Sequence, residues 1–171
     1  MIRKLFFILV LVGSANVLAQ EYDLAAQFRI IKDLIPNSTR LGVLYNPTRP
    51  NIDALISNAS QDTGLVVVKS PVQNTRDMTN AVRSLSKYDV DFIFMIEDKT
   101  VTGVGAIKFV VKQTMRKKIP VFTVSANAFK GGAYGWIVEN GSSWRIKING
   151  NVQARFDITV PDNGSLFTIE E

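Results

Sequence analysis

Between residues 41 and 124 four apolar runs are separated by three helical stripes, and that alternation leaves few folds open. The first run, Leu41-Gly42-Val43-Leu44-Tyr45, carries no charge, as a strand buried on both faces requires. Asn46-Pro47 ends it, because proline lacks the ladder donor and Asn-Pro favours a turn. Ile52, Leu55, Ile56 and Ala59 then recur at i, i+3, i+4 and i+7, one face of a helix that Gly64 closes. Leu65-Val66-Val67-Val68 reads as a second buried strand ended by Pro71. Met78, Ala81, Val82 and Leu85 repeat the helical spacing, with Asn74 as N-cap and Asp77 three residues on. Asp91 to Ile96 gives a third strand, and Val104, Ile107, Val111 and Met115 a third helical stripe. Ile119 to Val124 gives a fourth strand, with its proline near the start, where proline is tolerated.

Strands alternating with helices at this spacing are βαβ units, and the right-handed crossover rule makes their sheet parallel with helices on both faces. The expected fold is therefore α/β, a three-layer αβα sandwich on a mainly parallel sheet of four or five strands, the fifth being Tyr134 to Val138. Beyond Phe129 the pattern loosens. Lys130-Gly131-Gly132 reads as a turn, and residues 144–148 alternate as a half-exposed strand. Asn149-Gly150 makes either a type I′ hairpin leading to a strand over residues 152–160, or the start of a short helix over residues 150–156. Periodicity leaves both open.

Ahead of the alternating region, Leu24, Phe28, Ile31 and Ile35 form a helical stripe that Pro36 stops. Met1-Ile2-Arg3-Lys4, the unbroken apolar residues 5–12 and then Val17-Leu18-Ala19 have the layout of a secretory signal peptide over residues 1–19, cut after Ala19. The apolar run is short of the roughly 20 residues a bilayer span needs. Residues 20–171 are expected to form a single exported domain. Removing residues 1–19 takes Arg3 and Lys4 from the 20 basic residues, leaving 18 against 15 acidic ones, so the formal charge falls from +5 to +3. That balance is mild. Arg116-Lys117-Lys118 closes the third helix, where cations complement the dipole, and nucleic acid is not expected as a partner.

The chain has no histidine and no cysteine. It therefore has no Ser-His-Asp or Cys-His arrangement, no disulfide and no cysteine-borne lipid anchor, and it lacks the commonest metal ligand. An enzyme is not expected, nor a cofactor or a bound metal. Gly103-Val104-Gly105 lacks the lysine and the further glycines of a phosphate loop.

The candidate ligand residues lie in the turns after the strands. Parallel strands all end on one side of their sheet, and in open α/β folds ligands gather at that edge. The turns there supply Asn46 and Thr48 after the first strand, Asp98 and Thr100 after the third, and Ser125 and Asn127 after the fourth. Short donors and acceptors suit a small polar solute such as an amino acid, with Asp98 available to its ammonium group. Each residue also has an ordinary local reading. Thr100 caps the next helix, Asp98 sits at its positive end, and the others form turns. Trp136 and Trp144 read either as an aromatic wall for a ligand or as strand core. Asp89 and Asp91, which flank the third strand, read as solvated.

Leu34-Ile35-Pro36-Asn37 leading into Arg40-Leu41-Gly42-Val43-Leu44-Tyr45-Asn46-Pro47 resembles the opening of the second lobe in one bacterial family. That family is the ABC-transporter substrate-binding proteins of the tryptophan/tyrosine-binding type, built like type I periplasmic binding proteins. Val90-Asp91-Phe92-Ile93, Asp98-Lys99-Thr100-Val101, Lys118-Ile119-Pro120-Val121-Phe122 and Lys130-Gly131-Gly132-Ala133 follow in the family's order. Asn149, with Pro161 twelve residues on, resembles its close. The likeness covers most of residues 30–165. It implies one lobe of that fold, binding of a small organic, amino-acid-like solute, and a partner that is an ABC permease or the ectodomain of a membrane sensor. It also favours the short helix after Asn149. Family members close two lobes on a ligand, whereas this chain has room for one, and a homodimer is one way to supply the other wall. Lys99 stands where the family has asparagine, Ser125, Ala126 and Asn127 stand where it has acidic positions, and a helical return between Val138 and Ile146 is missing. The alternative function is a ligand-free periplasmic interaction module that keeps one lobe.

Overall fold

A computed structural model describes residues 23–162 and 165–171, so the expected signal peptide lies outside the described residues. Helix α1 (Leu24–Leu34) is capped by Asp23, whose carboxylate accepts the Ala26 N–H at 3.0 Å. The expected alternation follows as β1 (Arg40–Tyr45), α2 (Ile52–Thr63), β2 (Val66–Pro71), α3 (Asp77–Leu85), β3 (Phe92–Met95), α4 (Val104–Met115) and β4 (Val121–Thr123). Then come α5 (Ala126–Lys130), β5 (Gly135–Asn140), β6 (Ser143–Asn149), α6 (Gly150–Gln153) and β7 (Phe167–Glu170).

These strands make one sheet in the order β2-β1-β3-β4-β5-β6-β7. Strands β1 to β5 are parallel, β6 runs antiparallel to β5, and β7 is parallel to β6. The fold is thus α/β with a mainly parallel sheet as expected, but among the described residues the sheet has seven strands rather than four or five. Two hydrophobic clusters cover its faces. Along β1 and β3, Leu41, Val43, Phe92 and Phe94 point to the side of α1 and α2, joining Phe28, Ile31 and Ile56. Leu44, Ile93 and Met95 point to the side of α3 and α4, joining Met78, Val82, Leu85, Ile107 and Val110. This is the period-two alternation of a strand buried on both faces.

Several expectations are corrected. Strand β2 is the edge of the sheet and half-exposed, with Val66 60 % accessible, so the valine run signals strand propensity and not a central position. The buried face of α4 is Ala106, Ile107, Val110 and Thr114, while Val104 is 67 % exposed. Thr114 can be buried because its hydroxyl donates to the Val110 carbonyl at 3.0 Å. Ser125-Ala126-Asn127 is the start of α5 and not an open turn. Asn74 lies ahead of the α3 cap, Arg76, and its side-chain oxygen accepts the Arg76 N–H at 2.9 Å. Asp91 is not simply solvated. Its Oδ2 accepts the Thr39 and Arg40 N–H groups at 2.6 and 2.8 Å, fastening the entry of β1 to the entry of β3.

The two readings after Asn149 resolve in favour of the helix. The Asn149 side chain accepts the Asn151 N–H at 3.1 Å and caps α6. The hairpin occurs one strand earlier, where Asn140 pairs with Ser143 around Gly141 at φ +65°. Glycine as the first loop residue with positive φ is what a tight two-residue hairpin needs.

Tyr134 is 1 % exposed between the Phe122 and Phe156 rings, at centroid distances of 5.5 and 5.0 Å. Its hydroxyl has no hydrogen-bond partner, and burial pushes its pKa up to about 12. A buried polar atom without a partner costs stability. Tyr134→Phe is therefore expected to hold stability level or raise it by about 1 kcal/mol. Urea unfolding reads this directly, and a loss of that size would show that the hydroxyl is satisfied.

Candidate functional site

The β1 and β3 turns are joined through side chains. Asn46 leaves β1 with its Oδ1 accepting from the Thr48 N–H at 3.0 Å and the Thr48 hydroxyl at 2.8 Å. Its amide nitrogen donates across to Asp98 Oδ2 at 3.2 Å. The other carboxylate oxygen of Asp98 accepts the Thr100 N–H at 2.7 Å. Thr48, Asn46, Asp98 and Thr100 thus form one hydrogen-bonded line along the carboxyl edge of the sheet. Thr48 is exposed, and the other three are half-buried.

Burial pushes the Asp98 carboxyl up, but the donors facing it outweigh that effect and hold its pKa below the usual carboxylate range. They are the Thr100 N–H, the Asn46 amide, the Val101 N–H and the Thr100 hydroxyl. Thr102, not anticipated as part of this turn, closes it from behind. Its hydroxyl donates to the Asp98 carbonyl at 2.9 Å and accepts the Asp98 N–H at 3.3 Å. The Asp-x-Thr-x-Thr spacing in residues 98–102 is the signal that was available for it.

Beneath Asn46, Tyr45 donates its hydroxyl to Asp53 Oδ1 at 2.9 Å, and Lys69 reaches the same oxygen at 3.2 Å. Burial and then the Asp53 hydrogen bond push the Tyr45 phenol up to about 12, while the Tyr45 and Lys69 contacts hold the Asp53 carboxyl down. This braces the first turn of α2, which Asn51 enters in the left-handed region without a side-chain cap.

Ser125 and Asn127 lie on the same edge, one strand further along. No hydrogen bond among the described residues joins them to the first four. Ser125 is 3 % exposed, its N–H donating to the Thr123 hydroxyl at 3.0 Å, whereas Asn127 is exposed on the first turn of α5. Trp136 is neither a bare wall nor plain core. Its indole N–H donates to the Val124 carbonyl at 3.1 Å and its ring lies 5.8 Å from Phe129, tying β5 to the exit of β4. Trp144 packs against the core on the α1 side.

A cleft of 420 Å³ lies between β2 and α3, lined by residues including Lys69, Gln73, Asp77 and Asn80. Among the described residues no group of three or more acidic side chains stands where it could hold a metal ion, and no helix is long and apolar enough to cross a membrane.

A parallel sheet with polar turns linked at its carboxyl edge is the architecture of a lobe of the periplasmic-binding-protein type. The chain belongs to the ABC transporter substrate binding protein family, whose sequence profile matches residues 14–140. That family is a substrate-binding one. Three solved structures share the fold at low sequence identity. A conserved domain protein from Vibrio cholerae O1 biovar eltor is 19 % identical, with a TM-score of 0.74 over 88 % of this chain and 60 % of its own. An ABC domain from Streptococcus pneumonia in complex with L-Trp is 19 % identical, with a TM-score of 0.69 over 85 % of this chain and 62 % of its own. The ligand-free, open form of a Clostridium difficile substrate binding protein with adhesive properties is 17 % identical, with a TM-score of 0.69 over 84 % of this chain and 58 % of its own. The chain spans about three fifths of the length of each. Among curated proteins none matches it.

Proposed function

We propose that this protein is an exported solute-binding protein of the ABC-transporter type, taking a small organic, amino-acid-like solute at the carboxyl edge of β1, β3 and β4. The observation that carries the reading is the 3.2 Å hydrogen bond from Asn46 to Asp98, which draws two strand-end turns together around a carboxylate held in its charged form. A fixed negative charge flanked by amide and hydroxyl groups suits an ammonium-bearing solute. The L-Trp bound by the Streptococcus relative supports an amino acid. In this reading Asn46, Thr48, Asp98, Thr100 and Asn127 face the solute, and Ser125 holds the α5 turn from within.

The signal peptide would be removed after Ala19, leaving residues 20–171 as one lobe in the periplasm. The second wall around the solute would come from an ABC permease, from the ectodomain of a membrane sensor or from a second copy of the chain. Mass spectrometry of protein taken from the cell envelope should find a chain beginning at Gln20; an intact Met1 in the purified soluble protein would refute export by this route. One observation favours the rival reading of a ligand-free interaction module: both Asp98 oxygens already have donors from within the protein. A thermal-shift screen against amino acids and related polar solutes separates the two. A solute at 100 times its dissociation constant raises stability by about 2.7 kcal/mol. Absence of any saturable shift across the screen, with the protein folded, would favour the module.

A further inference from the structure

The last pair between β4 and β5 is Thr123 with Trp136, so the rest of β5 and its β6 partners run past β4 on the carboxyl edge. The helices that pack on β6 are α1 and α6, both on the side of Ile146, Ile148 and Phe167. The register fixes what the other face presents. Trp136 pairs with Lys147 and Val138 with Arg145 across β5 and β6, and Lys147 pairs with Thr168 across β6 and β7. Paired residues share a face, as do residues two apart on one strand. Trp136, Arg145, Lys147, Thr168 and Glu170 therefore form one patch. The Lys147 contacts agree: Nζ lies 5.4 Å from the centre of the Trp136 ring and 2.9 Å from Glu170 Oε1.

Two polar atoms in this patch are buried without a partner, Arg145 Nε and Thr168 Oγ1. No ion pair or hydrogen bond to the Arg145 guanidinium occurs among the described residues. Leaving such a donor unsatisfied costs stability, more so on a charged group, and the guanidinium cannot escape by losing its proton. Lys147 is matched by Glu170, so the patch keeps one uncompensated positive charge. A guanidinium offers its donors in a fixed fork that fits a planar carboxylate. Thr168 lies one strand spacing from Lys147, about 4.8 Å, on the same face as Arg145.

We propose that this face of β5, β6 and β7 is an anion site for a small monocarboxylate, held by Arg145 through its Nε–H and by the Thr168 hydroxyl, with Lys147 fixed on Trp136 beside it. The proposal does not rest on the solute reading of the Asn46–Asp98 edge. Nitrogen-15-labelled intact protein titrated with sodium acetate, at ionic strength held constant with sodium chloride, tests it. The Arg145 Nε–H resonance and the Thr168 amide should shift saturably. Thr168→Val should weaken the response several-fold, and Asp98→Asn should leave it unchanged. Arg145→Met should abolish the acetate-dependent rise in Tm while its Tm without acetate stays level or rises, the mark of a charge kept for a ligand. An Nε–H that ignores acetate overturns the proposal, as does the same response from sodium chloride alone. So does an Arg145→Met chain that loses stability and keeps the acetate response. Inorganic phosphate binding more tightly than acetate would overturn the carboxylate class. If Arg145→Met does not fold, the wild-type Nε–H titration and Thr168→Val decide.

Discussion

Replacing Phe122 with alanine is expected to cost about 3–5 kcal/mol, the range for deleting a buried phenyl ring. Phe122 is fully buried in β4 and meets Phe92 and Tyr134 edge-on, at centroid distances of 5.9 and 5.5 Å. On the neighbouring strand Gly135 leaves the space that this ring fills. A Cβ built on Gly135 would lie 2.4 Å from Phe122 Cδ1 and 2.6 Å from Cε1. Overpacking of that kind costs about 1–3 kcal/mol, so Gly135→Ala alone should also destabilise. The two changes should not add, because the alanine methyl enters room the missing ring has vacated. Domains of this kind hold roughly 5–15 kcal/mol in total, so the Phe122 variant should show a large fall in urea midpoint. A loss below about 1 kcal/mol, or strict additivity with Gly135→Ala, would mean that the ring is not packed on Gly135.

How legible these features were in the sequence follows from what each residue has to satisfy. Leu41 to Tyr45 and Phe92 to Met95 are uncharged because both of their faces are covered, and such runs read as central parallel strands without ambiguity. Val66 to Val68 carry the same propensity, yet β2 has a neighbour on one side only, and no local pattern encodes which strand ends up at an edge. Strand β7 leaves little trace in the sequence because it is four residues long and alternates on a half-exposed edge. The buried face of α4 departs from the spacing of its large apolar residues because size alone does not decide burial. Ala106 is small and Thr114 satisfies its own hydroxyl, so both are buried while Val104 is not. At the candidate site the turns were placed from strand order alone. The link from Asn46 to Asp98 spans 52 positions and depends on which strands become neighbours, which spacing does not disclose.

Asp98→Asn and Asn46→Ala are each expected to weaken solute binding tenfold or more, by different routes. Asn46→Ala removes the amide that holds the two turns together and leaves Asp98 Oδ2 without that donor. Loss of one hydrogen bond to a charged group is worth about 1.5–3 kcal/mol, and each 1.4 kcal/mol is tenfold in affinity. Asparagine at position 98 keeps the shape of the turn and one acceptor but removes the charge. It is a cleaner test than alanine, which would also strip the acceptor from the Thr100 N–H. The stability effect should depend on pH. The folded-state pKa of Asp98 lies below the usual value, so its stabilising contribution is present above that value, near 3.9, and is lost as pH falls through the folded pKa. The gap in unfolding free energy between wild type and Asp98→Asn should stay level from neutral pH down to about 5 and close below about 4. Unaltered affinity in both variants would reduce Asn46 and Asp98 to turn formers.

The most direct measurement is a map of backbone amide shifts on the intact protein as a solute identified by the thermal screen is titrated in. The solute reading predicts saturable shifts in three turns, residues 46–49, 98–101 and 125–127, with weak or no response around Lys69, Gln73 and Asn80. Shifts centred on the cleft between β2 and α3, with those three turns unmoved, would contradict it.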